Sequence, residues 1–196
     1  MFTFYEVGGA VRDSILGLKS KDIDYAVVPN DTLLREYSNV KDMFQVLIDY
    51  LNNEKFEIFL TTPEMYTIRA KFPLNNIYSG LVADFVLSRK ETGYISGTRT
   101  PILKPGTLYD DLERRDFTLN ALARNEDGKI IDYFDGLKHL NEKILVTPLP
   151  CEQTFNDDPL RILRAVRFSI TKGFTINPTM DKVMKEYNYE EKMGVV

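Results

Sequence analysis

The chain has 196 residues, 43% of them hydrophobic and 28% charged, enough for one domain of ordinary size or one domain with a small appendage. A net charge of −4 excludes a protein that coats nucleic acid over its whole surface, and no apolar run approaches the roughly 20 residues that cross a bilayer, so no membrane partner is expected. A single cysteine, Cys151, excludes a disulfide framework and points to a reducing, cytoplasmic setting, while a single histidine, His139, argues against zinc centres and histidine-rich hydrolytic sites.

The N-terminus, MFTFYEVGGAVRD, has no basic segment followed by a long apolar stretch and is not expected to act as a signal peptide. FYEVGGAVRDSILGL predicts a short strand, a glycine turn and a helix from about Val11 to Gly17. DIDYAVV predicts a strand closed by PND. The second half of DTLLREYSNVKDMFQVLIDYLNN has helical spacing, with Met43, Val46, Leu47, Tyr50 and Leu51 on one face. FEIFLTT, MYTIRAKF and LVADFVLSR predict three further strands, rich in aromatic and β-branched residues and punctuated by the turn signals PE and PLNNIYSG. The stretch from Lys90 to Tyr109, broken by glycine and proline, predicts a mobile loop. Helical spacing returns from Leu112 to Ala123, EDGKIIDYFDGL predicts a short strand between two turns, and Asp158–Ser169 and Pro178–Tyr187 predict helices. The expected architecture is α+β, with a mixed head over residues 1–145, a helical piece over 146–196, and a seam near TPLPCEQTFND.

Asp22 and Asp24 are the first residues that resist a purely structural explanation. Aspartate is disfavoured in strands, and side chains two apart on a strand share a face. Two carboxylates there repel unless something positive lies between them, and a hard divalent cation such as Mg²⁺ is held by one or two carboxylates together with substrate phosphates. A solvated strand edge accounts for the pair as well, with Ile23 and Tyr25 facing the core. Asp84, in the middle of LVADFVLSR, supplies a third strand-borne carboxylate, and three could hold two metals for an in-line phosphoryl displacement. In VGGAVRD, Gly8 and Gly9 lie between a strand and a helix start, where backbone N–H groups can approach phosphate and Arg12 sits in the first turn. A tight turn with an exposed arginine is the alternative.

LERRDFTLNALA sets Arg115 beside Asp116, with Asn120 one helical turn on, an arrangement suited to a sugar or phosphate and equally to a charged helix face. In NDDPLRILRAVRF, Asp158 and Pro159 form a helix start. Leu160, Leu163, Val166 and Ile170 form the expected apolar face, and Arg161, Arg164 and Arg167 a basic stripe with no acidic residue at the helical offsets, which suggests an anionic ligand. Asp158 and Arg161 are neighbours on the helix. A carboxylate only accepts hydrogen bonds and a guanidinium only donates them. Cytosine and adenine each present an amino donor beside a ring-nitrogen acceptor, whereas uracil and guanine present the reverse. A fixed Asp–Arg pair could therefore select C and A and reject G and U, while capping alone is a sufficient structural role for Asp158.

Taken together and in order, GGAVRDSILGLKSKDIDYAVV, ADFVLSRKE, DLERRDFTLNALA, DYFDGL and DDPLRILRAVRF resemble the bacterial-type tRNA nucleotidyltransferases, the CCA-adding enzymes related to bacterial poly(A) polymerases, over about residues 5–178. The resemblance implies a polymerase-β-like nucleotidyltransferase head, a mixed sheet flanked by helices, followed by the start of a helical neck. It implies Mg²⁺ on Asp22, Asp24 and Asp84, triphosphate contacts at Gly9 and Arg12, and a ribose-side contact at Arg115. It also implies base reading by Asp158 and Arg161 with Arg164 and Arg167 alongside, CTP and ATP as substrates, and a tRNA 3′ end as acceptor. Two departures accompany it. His139 stands in GLKHL where the family usually has aspartate, and the chain stops where family enzymes continue into RNA-gripping helices, which leaves a homo-oligomer, a separate gripping subunit or a truncated product as the alternatives.

Overall fold

The computed structural model describes residues 1–20, 22–95 and 101–189, without the side chains of residues 94 and 101. The chain divides into two compact units, one made of Met1–Asp111 with Ala123–Ile130, the other of Leu112–Leu122 with the chain from Ile131 onward.

The first unit opens with strand β1, Phe2–Val7, helix α1, Gly9–Ile15, and strand β2, Asp24–Pro29. Helices α2, Asp31–Glu36, and α3, Val40–Asn53, precede strands β3, Glu57–Thr62, β4, Thr67–Lys71, and β5, Val82–Leu87. Strands β6, Arg89–Tyr94, and β7, Pro101–Pro105, form a separate antiparallel pair. Helix α4, Leu108–Glu113, carries the chain into the second unit, and β8, Leu122–Arg124, and β9, Ile130–Asp132, complete a seven-stranded sheet in the order β3-β4-β5-β2-β1-β8-β9. The sheet is mixed: β2 and β5 run parallel, and β1–β2, β3–β4, β4–β5 and β1–β8 run antiparallel.

One face of this sheet is covered by α3. Asn39 caps the helix by accepting the Lys41 N–H at 2.8 Å, and Val40, Met43, Phe44, Leu47 and Leu51 are buried at i, i+3, i+4 spacing, with Val46 and Tyr50 packed at the margin. Tyr25, Ile68, Ala70, Phe72, Ala83, Phe85 and Leu87 meet them from the sheet. The ring stack is dense: Tyr25 lies 5.4 Å from Phe85 and 5.6 Å from Phe72, pairs that add about 0.5–1.5 kcal/mol each beyond area burial. Because strand side chains alternate, burying Tyr25 and Phe85 on this face sends Asp24 and Asp84 to the other.

The expected loop from Lys90 to Tyr109 is replaced over its described residues by the β6–β7 pair. Its base is fastened where Ser88 Oγ donates to the Gly106 carbonyl at 2.7 Å and Gly106 N–H returns to the Ser88 carbonyl at 3.0 Å. A Cβ at position 106 would stand 2.8 Å from the Arg89 carbonyl carbon, so only glycine fits this closure. The remaining part of that expectation, residues 96–100, and the end of the expected neck, residues 190–196, lie outside the described residues.

The second unit contains the 3-10 turn Thr118–Asn120, helix α5, Gly136–Glu142, strand β10, Ile144–Leu145, helices α6, Cys151–Asp157, and α7, Leu160–Lys172, strand β11, Thr175–Ile176, and helix α8, Pro178–Glu186. Its core joins Phe117, Leu119, Leu140, Leu145, Phe155, Ile162, Ala165, Phe174, Met180 and Met184. The helix expected over Leu112–Ala123 does not form. The chain leaves α4 at Glu113, makes the single turn at Thr118–Asn120 and enters β8 at Leu122, because backbone partners lie elsewhere: Asp116 Oδ1 takes the Phe117 N–H at 2.8 Å and the Val146 carbonyl takes the Thr118 N–H at 2.8 Å. Among the described residues no helix is long and apolar enough to cross a membrane.

Candidate active site

Asp24 opens β2 and pairs in register with Asp84 on the parallel neighbour β5. Both carboxylates are half-buried on the face opposite the aromatic core. Asp22 departs from expectation: β2 begins at Asp24, and Asp22 stands exposed ahead of the strand. Among the described residues no group of three or more histidine, cysteine or acidic side chains is placed to hold a metal ion, so the expected three-carboxylate cluster is not assembled. What the structure assembles is a pair of hard oxygen donors on adjacent strands. That donor set fits Mg²⁺, which dehydrates reluctantly and takes one or two carboxylates with the remaining positions filled by phosphate and water.

The row continues past Asp84. Arg69 on β4 is the antiparallel register partner of Asp84, and its Nη1 lies 3.2 Å from Asp84 Oδ2 and 3.4 Å from Oδ1. Sequence reasoning missed Arg69. The signal available was its place in TIRAK, alternating outward between Ile68 and Ala70, but nothing in the sequence fixes the β4–β5 register.

Beside β1, Gly8 adopts φ 73°, the left-handed region that favours glycine, and turns the chain into α1. Arg12 is not the exposed arginine of a plain turn. It is buried, with Nε 2.8 Å and Nη2 2.6 Å from Asp13 Oδ1, and its Nη2 lies 3.4 Å from where a Cβ on Gly9 would stand. Asp13, also missed, orients this guanidinium through a charge-assisted contact.

In the second unit, the residues of LERRDFTLNALA and NDDPLRILRAVRF meet. Asp116 is buried. Its Oδ1 accepts from Asn120 Nδ2 at 3.0 Å as well as from Phe117, and its Oδ2 lies 2.7 Å from Arg164 Nη2, an ion pair without an aligned hydrogen bond. Asp116 therefore anchors Arg164 from a distant segment, and the expectation of no acidic residue at the helical offsets fails at Arg161, which pairs with Asp158 three positions before it. Arg161 donates through Nη2 to the Arg114 carbonyl at 2.7 Å and lies with Nε 3.8 Å from Asp158 Oδ2. Asp158 Oδ1 accepts the Leu160 N–H at 3.0 Å, the capping role its place before Pro159 predicts. Arg115 is half-buried and Arg167 exposed. His139 Nδ1 shares a 2.8 Å hydrogen bond with Thr118 Oγ1, and a Cβ on Gly136 would overlap the Thr118 carbonyl oxygen, so α5 lies tight against this turn.

The apolar face expected for α7 is reversed. Leu160, Leu163, Val166 and Ile170 are exposed, and Ile162 and Ala165 are buried with Phe168 packed beside them. On the same helix Arg161 is held to the Arg114 carbonyl and Arg164 to Asp116, while Ile162 and Ala165 turn into the core. Burial and the neighbouring Glu152 push the Cys151 thiol pKa up, and Cys151 packs in the core of the second unit.

Residues 4–146 match the family model described as the poly A polymerase head domain. The "Multifunctional CCA protein" of Pasteurella multocida is 34% identical over 196 residues, 97% of this chain and 40% of that protein. The "CCA-adding enzyme" of Bacillus subtilis is 34% identical over 186 residues, 93% of this chain and 41% of that protein. Among solved structures, a tRNA nucleotidyltransferase "complexed with a primer tRNA and an incoming ATP analog" has a TM-score of 0.66 at 31% identity, covering 94% of this chain and 46% of its own. The Bacillus stearothermophilus CCA-adding enzyme in complex with CTP has a TM-score of 0.69 at 25% identity, covering 98% of this chain and 43% of its own. The chain thus spans about two fifths of the length of the curated relatives it matches.

Proposed function

Because the chain belongs to the poly A polymerase head-domain family, we propose that it is a template-independent RNA nucleotidyltransferase that adds C and/or A to a tRNA 3′ end from CTP and ATP. The observation that carries this reading is the register pairing of Asp24 with Asp84 on parallel strands, in a chain similar over nearly its whole length to CCA-adding enzymes.

Asp24 and Asp84, with Asp22 just ahead of the strand, are the residues that would hold Mg²⁺ jointly with the nucleotide's phosphate oxygens. A divalent cation there supplies Lewis-acid stabilisation of the charge that develops as the 3′-oxygen attacks and pyrophosphate leaves. The first unit also brings the Gly8–Gly9 turn, where backbone approaches phosphate closely, and the Arg12 guanidinium, held in one orientation by Asp13. The second unit, taken by itself, holds Asp158 and Arg161, the pair proposed to read the base. Asp158 accepts the Leu160 N–H, and Arg161 donates to the Arg114 and Thr154 carbonyls and lies beside Asp158, which holds both side chains in defined directions. An amino group beside a ring-nitrogen acceptor, as in cytosine and adenine, satisfies both; a carbonyl beside an N–H, as in uracil and guanine, opposes both. Arg164, anchored by Asp116, and Arg167 add positive charge for the nucleotide, Asn120 holds Asp116 through Oδ1, and Arg115 is the proposed ribose-side contact.

The deciding experiment is product analysis. The purified protein is incubated with a tRNA lacking its CCA end, CTP, ATP and Mg²⁺, and the products are resolved at single-nucleotide length. The proposal expects discrete addition of up to three residues. A long A tail assigns the chain instead to a poly(A) polymerase-like activity, the reading that the family's own description favours. No incorporation assigns it to a non-catalytic nucleotide- or RNA-binding module.

A further inference from the structure

We propose that Arg69 is a positioning residue of the carboxylate row, a built-in counter-cation for Asp84 that makes divalent-cation binding depend on the nucleotide's polyphosphate. The inference rests on the nucleotidyltransferase reading and adds an order of loading to it.

Three side chains lie in one line across three strands: Arg69 on β4 faces Asp84 on β5, and Asp84 faces Asp24 on β2. Ile68, Ala70, Ala83, Phe85 and Tyr25 occupy the core side of the same strands, so the three charged groups share the opposite face. A single guanidinium nitrogen, Arg69 Nη1, reaches both carboxylate oxygens, 3.2 Å from Oδ2 and 3.4 Å from Oδ1. Lys71, two positions on and facing the same way, is taken up by Glu57 at 3.2 Å, so Arg69 is the cation of β4 that meets the candidate active site.

Adjacent strands lie about 4.8 Å apart, so ionised Asp24 and Asp84 repel in the absence of a cation. Arg69 offsets that repulsion with a charge that no accessible pH removes. The same charge opposes a divalent ion arriving alone. An ion between the two carboxylates stands roughly 6 Å from the guanidinium, and the repulsion in a water-like dielectric weakens its binding on the order of tenfold. A triphosphate reverses the balance. It brings its own negative charge, and its oxygens accept the planar guanidinium in the paired geometry arginine favours. Cation and nucleotide then bind together, and the pair takes up metal less readily between turnovers. The Arg69 side chain is 47% exposed and that of Asp84 27%, so the ion pair contributes little to folding and its removal leaves the sheet intact.

The test measures Mn²⁺ binding by electron paramagnetic resonance to the 196-residue protein, with and without a non-hydrolysable CTP analogue. The forms compared are wild type, Arg69→Met, Arg69→Lys, Asp24→Asn and Asp84→Asn, each checked for folding by circular dichroism. The proposal expects Arg69→Met to bind Mn²⁺ roughly tenfold tighter than wild type without nucleotide, to lose that advantage when the analogue is present, and Arg69→Lys to restore wild-type behaviour. Loss of Mn²⁺ binding in both aspartate variants, with Arg69→Met equal to or weaker than wild type, overturns the role of Arg69 and leaves the carboxylate site standing. Unchanged binding in both aspartate variants overturns the carboxylate site itself, and the proposal with it.

Discussion

Asp24 and Asp84 are register partners across the parallel strands β2 and β5, with β5 reached only after two helices and two further strands. Two carboxylates are thereby fixed side by side at one end of a strand pair whose other face is packed with aromatic rings. Asp84→Asn is predicted to lower nucleotide incorporation by roughly a hundredfold or more, the scale on which loss of one preorganised electrostatic group at a transition state is felt. The thermal midpoint of the variant should stay close to wild type, since among the described residues Asp84 pairs with the half-exposed Arg69. Steady-state incorporation and a thermal melt of the same preparation check both halves.

Asp116 and Arg164 should separate stability from substrate binding. Asp116→Ala leaves the Phe117 N–H and the Asn120 amide without their acceptor in a buried setting, a cost of about 2–3 kcal/mol in urea unfolding. Arg164→Ala removes the other end of the same ion pair, but its side chain is 57% exposed. It leaves Asp116 hydrogen-bonded to Phe117 and Asn120, so it should cost less than Asp116→Ala while raising KM for CTP and ATP.

Much of this arrangement was legible in the sequence. The five main strands of the head showed as β-branched and aromatic runs, the α3 face as 3.6-residue spacing, and Asp158–Pro159 as a helix start. What was not legible was which backbone and side-chain partners the chain finds at long range. Leu112–Ala123 has helical spacing, yet Asp116 and Val146 capture the N–H groups that a helix would use. The helix α7 offers two apolar stripes, and spacing alone cannot say that Ile162 and Ala165, rather than Leu163 and Ile170, turn inward. Asp22, Asp24 and Asp84 read as a triad, while the structure pairs Asp24 with Asp84 and adds Arg69, because register is set by cross-strand packing that no local pattern encodes.

Base selection should depend on the pair at the start of α7. Replacing Asp158 by Glu and Arg161 by Ala moves the acceptor and deletes the donors, so the preference for CTP over UTP, measured as a ratio of kcat/KM values, should fall at least about tenfold. An unchanged ratio removes the base-reading role from these residues.

Tyr25 predicts an alkaline limit to stability. Burial, reinforced by the nearby Glu6, raises its phenol pKa above the ordinary 10.0. The unfolded chain therefore ionises first as pH rises, the folded state holds the extra proton, and the contribution, complete below about pH 10, is lost above it at up to roughly 1.4 kcal/mol per pH unit. Urea midpoints at pH 8 and pH 11 should diverge more for wild type than for Tyr25→Phe.

The central claim is that the Asp24–Asp84 pair is the catalytic centre of nucleotidyl transfer to RNA. The most direct test is transfer of labelled CMP from CTP to a tRNA lacking its CCA end, with Mg²⁺, by the wild-type protein and by Asp24→Asn of matched circular dichroism. Incorporation by wild type and its loss by roughly a hundredfold or more in Asp24→Asn is the predicted result; incorporation by Asp24→Asn at the wild-type rate would contradict it.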